Sequence, residues 1–303
     1  MALKPERLRP GDVIGIAAPA GAFKKERLQP GIAYLERAGY RVRVGAHAYD
    51  RNRYMAGEDG ARAGDLHALF ADPKVRAIFA ARGGYGTTRL LDLLDYGLIR
   101  RNPKVFVGFS DTTALQLALY RHAGLITCSG VTVCADLGRE REAFTEAATW
   151  RAVQEGVAGP FEGLRPIVGG TAEGRLLGGC LSLVCALQGT GHLPDFDGAI
   201  LALEDVDEAP YRIDRMLTHL RQTGLLRQVA GVAFGHFEGA RPEEGADWTV
   251  EDVLADRTAD LGIPVVCGLP YGHQRRRAVL PIGARARLDA DAGRLELLEE
   301  IVV

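Results

Sequence analysis

Short β-branched runs alternate with stretches of helical apolar spacing through the first half of the chain, and this alternation predicts most of its elements. Residues 13–18, Val13-Ile-Gly-Ile-Ala-Ala18, read as a buried strand that ends at Pro19 and Gly21. Residues 25–38 have the apolar spacing of a helix and close at Gly39. A second strand is expected over 41–45, a helix over 58–71 that stops before Pro73, and a third strand over 75–80. Residues 105–109 and 125–128 supply a fourth and a fifth strand. Strands separated by helices of this length imply βαβ crossovers and a parallel sheet covered on both faces. Ligands of such sheets sit beyond the carboxyl ends of the strands, so the residues just after Ala18, Ala80 and Phe109 matter most.

The pattern changes further along. Residues 138–155 read as a helix, and 156–170 as a loop rich in glycine and proline, where a domain boundary is expected. Beyond it, a Gly178-Gly179 turn leads into an apolar helical run over 181–187, then a strand over 199–203 and a helix from Pro210 to about residue 220. A strand over 229–234, a helix over 250–261 and several short strands between 265 and 302 follow. The expected fold class is therefore α/β. An N-terminal parallel-sheet domain (1–155) is joined by a linker (156–170) to a smaller α+β C-terminal domain (171–303).

Composition narrows the function classes. With 303 residues there is chain enough for two cores. Thirty-seven basic residues against 39 acidic ones give a formal charge of -2, which argues against a nucleic-acid or anionic-membrane surface. No apolar stretch reaches the roughly 18 residues of a membrane span, and the first dozen residues hold no apolar signal region. The five cysteines are odd in number and never spaced as C-x-x-C, so they read as reduced thiols in a cytoplasmic protein.

Three places could carry chemistry. In Val105-Phe-Val-Gly-Phe-Ser-Asp-Thr-Thr113 a serine stands between a strand and a helix, the geometry of a nucleophile elbow. The first amides of that helix would meet a developing oxyanion. Thr112 occupies the second-glycine position of the hydrolase pattern, and Ser110 or Asp111 would equally serve as a helix cap. Ala81-Arg-Gly-Gly-Tyr-Gly-Thr-Thr88 follows the third strand; its glycines free backbone amides to point into a site, and Gly84 and Ser110 would face one substrate. The loop lacks the Gly-Lys-Ser/Thr of a Walker motif and the third glycine of a dinucleotide fingerprint, which disfavours a nucleotide-dependent enzyme. A serine nucleophile needs a base. Among seven histidines His273 lies in a turn-rich loop before Arg275-Arg-Arg277, with His236 at a strand end as competitor. Glu204, first of the acids in Leu203-Glu-Asp-Val-Asp-Glu208 and nearest the sheet, is the candidate to orient it. No metal-ligand spacing competes, and no cofactor is expected.

Together these segments resemble the LD-carboxypeptidase family, the muramoyltetrapeptide carboxypeptidases. The motifs are Arg82-Gly-Gly-Tyr-Gly86, Gly108-Phe-Ser-Asp-Thr-Thr113, Leu203-Glu-Asp-Val-Asp-Glu-Ala-Pro-Tyr-Arg-Ile-Asp-Arg215, and Gly272-His273 followed by Leu280-Pro-Ile-Gly283. The resemblance implies a flavodoxin-like N-terminal half, a homodimer, and a triad of Ser110 as nucleophile, His273 as base and Glu204 as its orienter. It also implies an oxyanion hole from the backbone of Asp111 and Gly84, and release of the terminal D-alanine from cytoplasmic murein tetrapeptides during peptidoglycan recycling. Since Ser110 lies in one predicted domain and Glu204 and His273 in the other, the site should be an interdomain cleft. A carboxypeptidase must also hold a free carboxylate, for which Arg82 and Arg212 are candidates, with Tyr85 as a further substrate contact. Cys180 stands where many relatives carry asparagine; it opens an apolar helix, so its thiol is not expected to be a nucleophile. Two other readings stay open: a self-immunity peptidase that cleaves a peptide-nucleotide antibiotic, and a non-catalytic peptide-binding protein with Ser110 as a helix cap.

Overall fold

The computed structural model describes residues 2–138 and 141–303. Its first half runs β1 (Val13–Ala17), α1 (Lys25–Arg37), β2 (Arg41–Val44), α2 (Asp59–Ala71), β3 (Val75–Ala80), a 3₁₀ segment (Thr87–Leu93), α3 (Tyr96–Arg101), β4 (Val105–Gly108), α4 (Thr112–Ala118) and β5 (Thr127–Ser129). The five strands are parallel in the order β2-β1-β3-β4-β5, the flavodoxin arrangement. The two-residue period of β1 shows why both faces are covered. Val13 and Ala17 join a core with Leu66 and Leu69 of α2 and Leu115 of α4, whereas Ile14 and Ile16 meet Leu28 and Leu35 of α1 on the other side.

The second half comprises α5 (Ala143–Trp150), β6 (Phe161–Glu162), β7 (Arg165–Val168), β8 (Thr171–Cys180), α6 (Leu181–Ala186), β9 (Ile200–Val206), α7 (Pro210–Gln222), α8 (Leu225–Gln228), β10 (Gly231–Glu238), α9 (Val250–Thr258), β11 (Val265–Cys267), β12 (Leu280–Ile282), β13 (Arg285–Asp289) and β14 (Arg294–Leu297). Its helices start where local chemistry says they should. Pro210 occupies the first turn of α7, and Thr249 and Asp252 close a capping box on α9. The sheet order is β6-β14-β13-β8-β9-β10-β11-β7, parallel from β8 to β11 and antiparallel at both flanks, which makes this half α+β.

One strand departs from the division into halves. β12 leaves the second sheet and pairs antiparallel with β5 at the edge of the first, Leu280 opposite Ser129 and Ile282 opposite Thr127. Ile301 and Val302 also pack into the core under α1, and the Val303 amide donates to the Pro5 carbonyl. The C-terminal stretch thus straps the two sheets together and carries residues 268–279 to the carboxyl ends of β4 and β5.

Several expectations need correction. The stretch 156–170, expected as a linker, holds β6 and β7, both paired into the second sheet. The supposed turn at Gly178-Gly179 is the end of a ten-residue strand, β8. Of the helix expected over 138–155, residues 139–140 lie outside the described residues, and the helix begins at Ala143. The strand expected over 199–203 runs on to Val206, so Glu204 sits inside β9 rather than at its end.

The seam between the halves is tight where β8 meets α4. The Cys180 amide donates to Thr113 Oγ1 at 3.2 Å, and a Cβ placed on Gly179, whose φ is +133°, would stand 2.6 Å from the same oxygen. Gly179→Ala therefore adds a clash to an unfavourable backbone angle. It should lower unfolding stability by about 2–3 kcal/mol, measured by chemical denaturation.

Candidate active site

The chain leaves β4 at Gly108 and turns through Phe109 and Ser110 into α4. Ser110 has φ +66°, a left-handed conformation that is uncommon and strained for a residue with a side chain. Room for this turn comes from the glycine loop after β3: a Cβ on Gly83 would lie 2.8 Å from the Ser110 Cβ. Asp111 precedes α4, yet its side chain makes no capping bond. Its Oδ2 instead accepts the Thr87 amide at 2.9 Å, while Thr87 Oγ1 donates to the Asp111 carbonyl at 2.5 Å. Burial pushes the Asp111 carboxyl above its usual range, and amides of Thr87 and Gly86 pull it back. The buried carboxylate so clamps the glycine loop to the serine turn.

From the other sheet come an imidazole and a carboxylate. Ser110 Oγ lies 3.0 Å from His273 Nε2, and His273 Nδ1 lies 2.7 Å from Glu204 Oε2. An ionised carboxylate only accepts, so Nδ1–H donates to Glu204 and leaves Nε2 free to accept the serine hydroxyl. Glu204 is fully buried opposite Cys180 of β8. On its other side β10 bulges: Phe234 faces Leu203 and Phe237 faces Asp205, leaving Gly235 and His236 opposite Glu204 alone. Burial raises the Glu204 carboxyl, and the His273 ring opposes that rise.

Aromatic and arginine packing fixes the imidazole. The Phe109 ring lies 4.7 Å from that of His273, edge-on to Tyr271 at 5.7 Å, with the Arg277 guanidinium 4.6 Å above it. The Tyr271 hydroxyl is 2.7 Å from Ser129 Oγ on β5. Buried Arg277 donates to the Gly130 and Gln274 carbonyls and pairs with Asp136, and its own amide donates to Thr145 Oγ1 at 2.9 Å. The histidine loop is bolted to β5 and α5 before it reaches the serine.

Both halves of the chain match models of the same family: residues 14–130 the LD-carboxypeptidase N-terminal domain, and residues 173–288 the C-terminal domain. The chain belongs to the LD-carboxypeptidase family. The murein tetrapeptide carboxypeptidase of Pseudomonas aeruginosa is 33% identical over 92% of this chain and 93% of its own. The crystal structure of muramoyltetrapeptide carboxypeptidase from Oxalobacter formigenes superposes with a TM-score of 0.87 at 33% identity, covering 94% of this chain and 97% of that one. The microcin C7 self-immunity protein MccF of Escherichia coli is 27% identical over 96% of this chain and 94% of its own.

Within this family member, Ser110, Gly84, Arg82 and His273 line one cleft of about 360 Å³, with buried Glu204 behind the histidine. Tyr85 lies outside it, exposed and tilted against Tyr54 at 5.8 Å in a neighbouring groove that shares Arg82 and Gly84. Arg212 is not brought to the cleft: it lies on the exposed face of α7, beside the Tyr211 ring and paired with Glu208 at 3.5 Å. The competing histidine, His236, faces outward and pairs with Glu238 at 2.9 Å. Reasoning from sequence did not find Phe109, Tyr271, Asp136, Thr145 and Arg277. They are scattered over more than 160 positions and share no local motif, and only the basic run after His273 hinted at one of them. Among the described residues no cluster of three or more metal-ligating side chains occurs, and no helix is long and apolar enough to cross a membrane.

The Cys180 thiol is buried against Asp205 and Ser182, and burial pushes it well above its usual range. Burial likewise raises the thiols of Cys128 and Cys185 to about 12 and that of Cys134 to about 11. All four stay protonated at neutral pH, so iodoacetamide at pH 7.5 should alkylate them on the order of 100-fold more slowly in native than in unfolded protein. Intact-mass spectrometry over time checks this, and rapid native labelling of Cys180 would contradict it.

Proposed function

We propose that the chain is a serine-type LD-carboxypeptidase that releases the terminal D-alanine from murein tetrapeptides. In this reading Ser110 is the nucleophile, His273 the general base and acid, and Glu204 the group that orients the imidazole. The observation that carries it is the unbroken hydrogen-bond path from Ser110 Oγ through both ring nitrogens of His273 to Glu204, beginning on a serine with a strained backbone. His273 Nε2 takes the hydroxyl proton as Oγ attacks the carbonyl preceding the terminal residue. Glu204 faces the imidazolium that forms, and the amides of Gly84 and Asp111 receive the oxyanion. The amide C–N bond then breaks as His273 protonates the departing D-alanine nitrogen. Water, deprotonated by the same ring, hydrolyses the acyl-serine. The nucleophile belongs to the half built on the first sheet, and its two partners to the half built on the second, Glu204 on β9 and His273 on the loop before β12. The enzyme acts in the cytoplasm as a homodimer, without metal or cofactor.

Incubation with a tetrapeptide ending in an L-centre–D-alanine bond, followed by mass detection of free alanine, tests the activity directly. Ser110→Ala should lower kcat by on the order of 10⁴ or more. Glu204→Gln should lower it less than His273→Ala, because it removes orientation and charge but leaves the base. An unchanged rate in folded Ser110→Ala would end the proposal. A serine-directed phosphonate that fails to label Ser110, together with no alanine release, would favour a binding protein. Faster cleavage of a peptide-nucleotide than of the tetrapeptide would favour a self-immunity role.

A further inference from the structure

The cleft beside Ser110 is electrically lopsided. Within its lining Arg277 is matched by Asp136, and the Glu142 carboxylate is occupied with the Thr145 amide at the start of α5. Arg27 and Arg82 of the same lining have no carboxylate partner among the described residues. Both guanidinium groups favour the ionised form of the Cys134 thiol, against the burial that raises it.

Arg82 is the better placed of the two. Its Nη1 donates to the Ala22 carbonyl at 2.8 Å, which fixes the plane of the fork while leaving donors over. Its Nη2 lies 3.5 Å from where a Cβ on Gly84 would stand, and its Cζ 3.5 Å from one on Gly21. The guanidinium therefore rests beside Gly84, whose amide is one of the two proposed oxyanion donors. Arg82 also lines the neighbouring groove of Gly21, Arg51, Tyr54 and Tyr85, so groove and cleft share its side chain.

Resting on the function proposed above, we infer that Arg82, supported by Arg27, holds the free α-carboxylate of the residue that leaves, and thereby restricts cleavage to the last bond of a peptide. In a terminal residue the carboxylate carbon lies three bonds from the carbonyl under attack, a separation of about 4 Å at most. A cation meant for it must sit next to the oxyanion donors, as Arg82 does. A planar fork matches a carboxylate with two hydrogen bonds. Two cations in one cleft, neither with a carboxylate partner among the described residues, are relieved by an anionic ligand. A peptide extended by one more residue would bring a neutral amide to that fork.

The test compares a tetrapeptide ending in free D-alanine with the same peptide carrying a C-terminal carboxamide. Calorimetry on Ser110→Ala measures binding without turnover. The free acid should bind on the order of 100-fold more tightly than the amide. Adding Arg82→Gln should cost the acid that factor and abolish the difference between the peptides; Arg82→Lys should keep part of it, and Arg27→Gln should reduce it by about 10-fold. Equal binding of acid and amide to Ser110→Ala, or an unchanged ratio after Arg82→Gln, overturns the assignment, as does no binding of the acid at all. A circular-dichroism spectrum and unfolding midpoint matching those of Ser110→Ala alone separate a lost contact in the Arg82→Gln variant from a folding defect. If acid and amide are discriminated through Arg82 but no alanine is released by the wild type, the carboxylate site stands and the hydrolase reading falls.

Discussion

The pairing of β12 with β5 is the contact on which the site depends. Three backbone positions of the second half are written into the edge of the first sheet, and the loop that precedes them carries His273. An imidazole on a surface loop between two sheets would sample many positions, because each free torsion adds entropy that a single hydrogen bond to a serine does not offset. Here the loop is pinned at both ends of its course, by the Tyr271 hydroxyl against Ser129 and by Arg277 against Gly130 and Asp136. The Ser110–His273 distance is thus set by a sheet edge and a buried arginine rather than by its own weak bond.

Two buried carboxylates do different work in this framework. Asp111 and Glu204 are both sealed from water, and burial raises both. Asp111 is answered by backbone amides of the neighbouring loop, which makes it a structural clamp. Glu204 is answered by one imidazole N–H at 2.7 Å, while its other oxygen finds no partner among the described residues. A carboxylate with a single mobile-proton partner in a low-dielectric setting gains strongly when that partner becomes positive. The bulge in β10 opposite Glu204 permits this placement, since it opens the ladder at one residue so that the Gly272–His273 corner approaches the strand.

The strain at Ser110 and the charge imbalance along the cleft have a common origin in the glycine loop. With no side chain at 83, the loop lies against the serine turn; with none at 84 or 21, the Arg82 guanidinium rests beside those two glycines. The Arg82 guanidinium and the strained hydroxyl therefore line one cleft, in a chain whose formal net charge is -2.

How much of this was legible beforehand depends on how local the physics is. The parallel sheet of the first half, the serine at the end of β4 and the turn chemistry of its loop follow from periodicity and from glycine positions, which act over a few residues. Motif order picked out Ser110, His273 and Glu204, though not that Glu204 lies within a strand, because four acids in five positions look solvated until a bulge and two neighbouring strands enclose the first of them. The strands inside the supposed linker were hidden because proline and glycine are tolerated at sheet edges, where half the backbone groups need no partner. The crossing of β12, the clamp made by Asp111, the bracing by Arg277 and the exclusion of Arg212 were decided by tertiary structure alone. Each joins residues 24 to about 150 positions apart, or in the case of Arg212 fails to join them, and no pattern along a chain encodes which distant surfaces its folding will bring into contact.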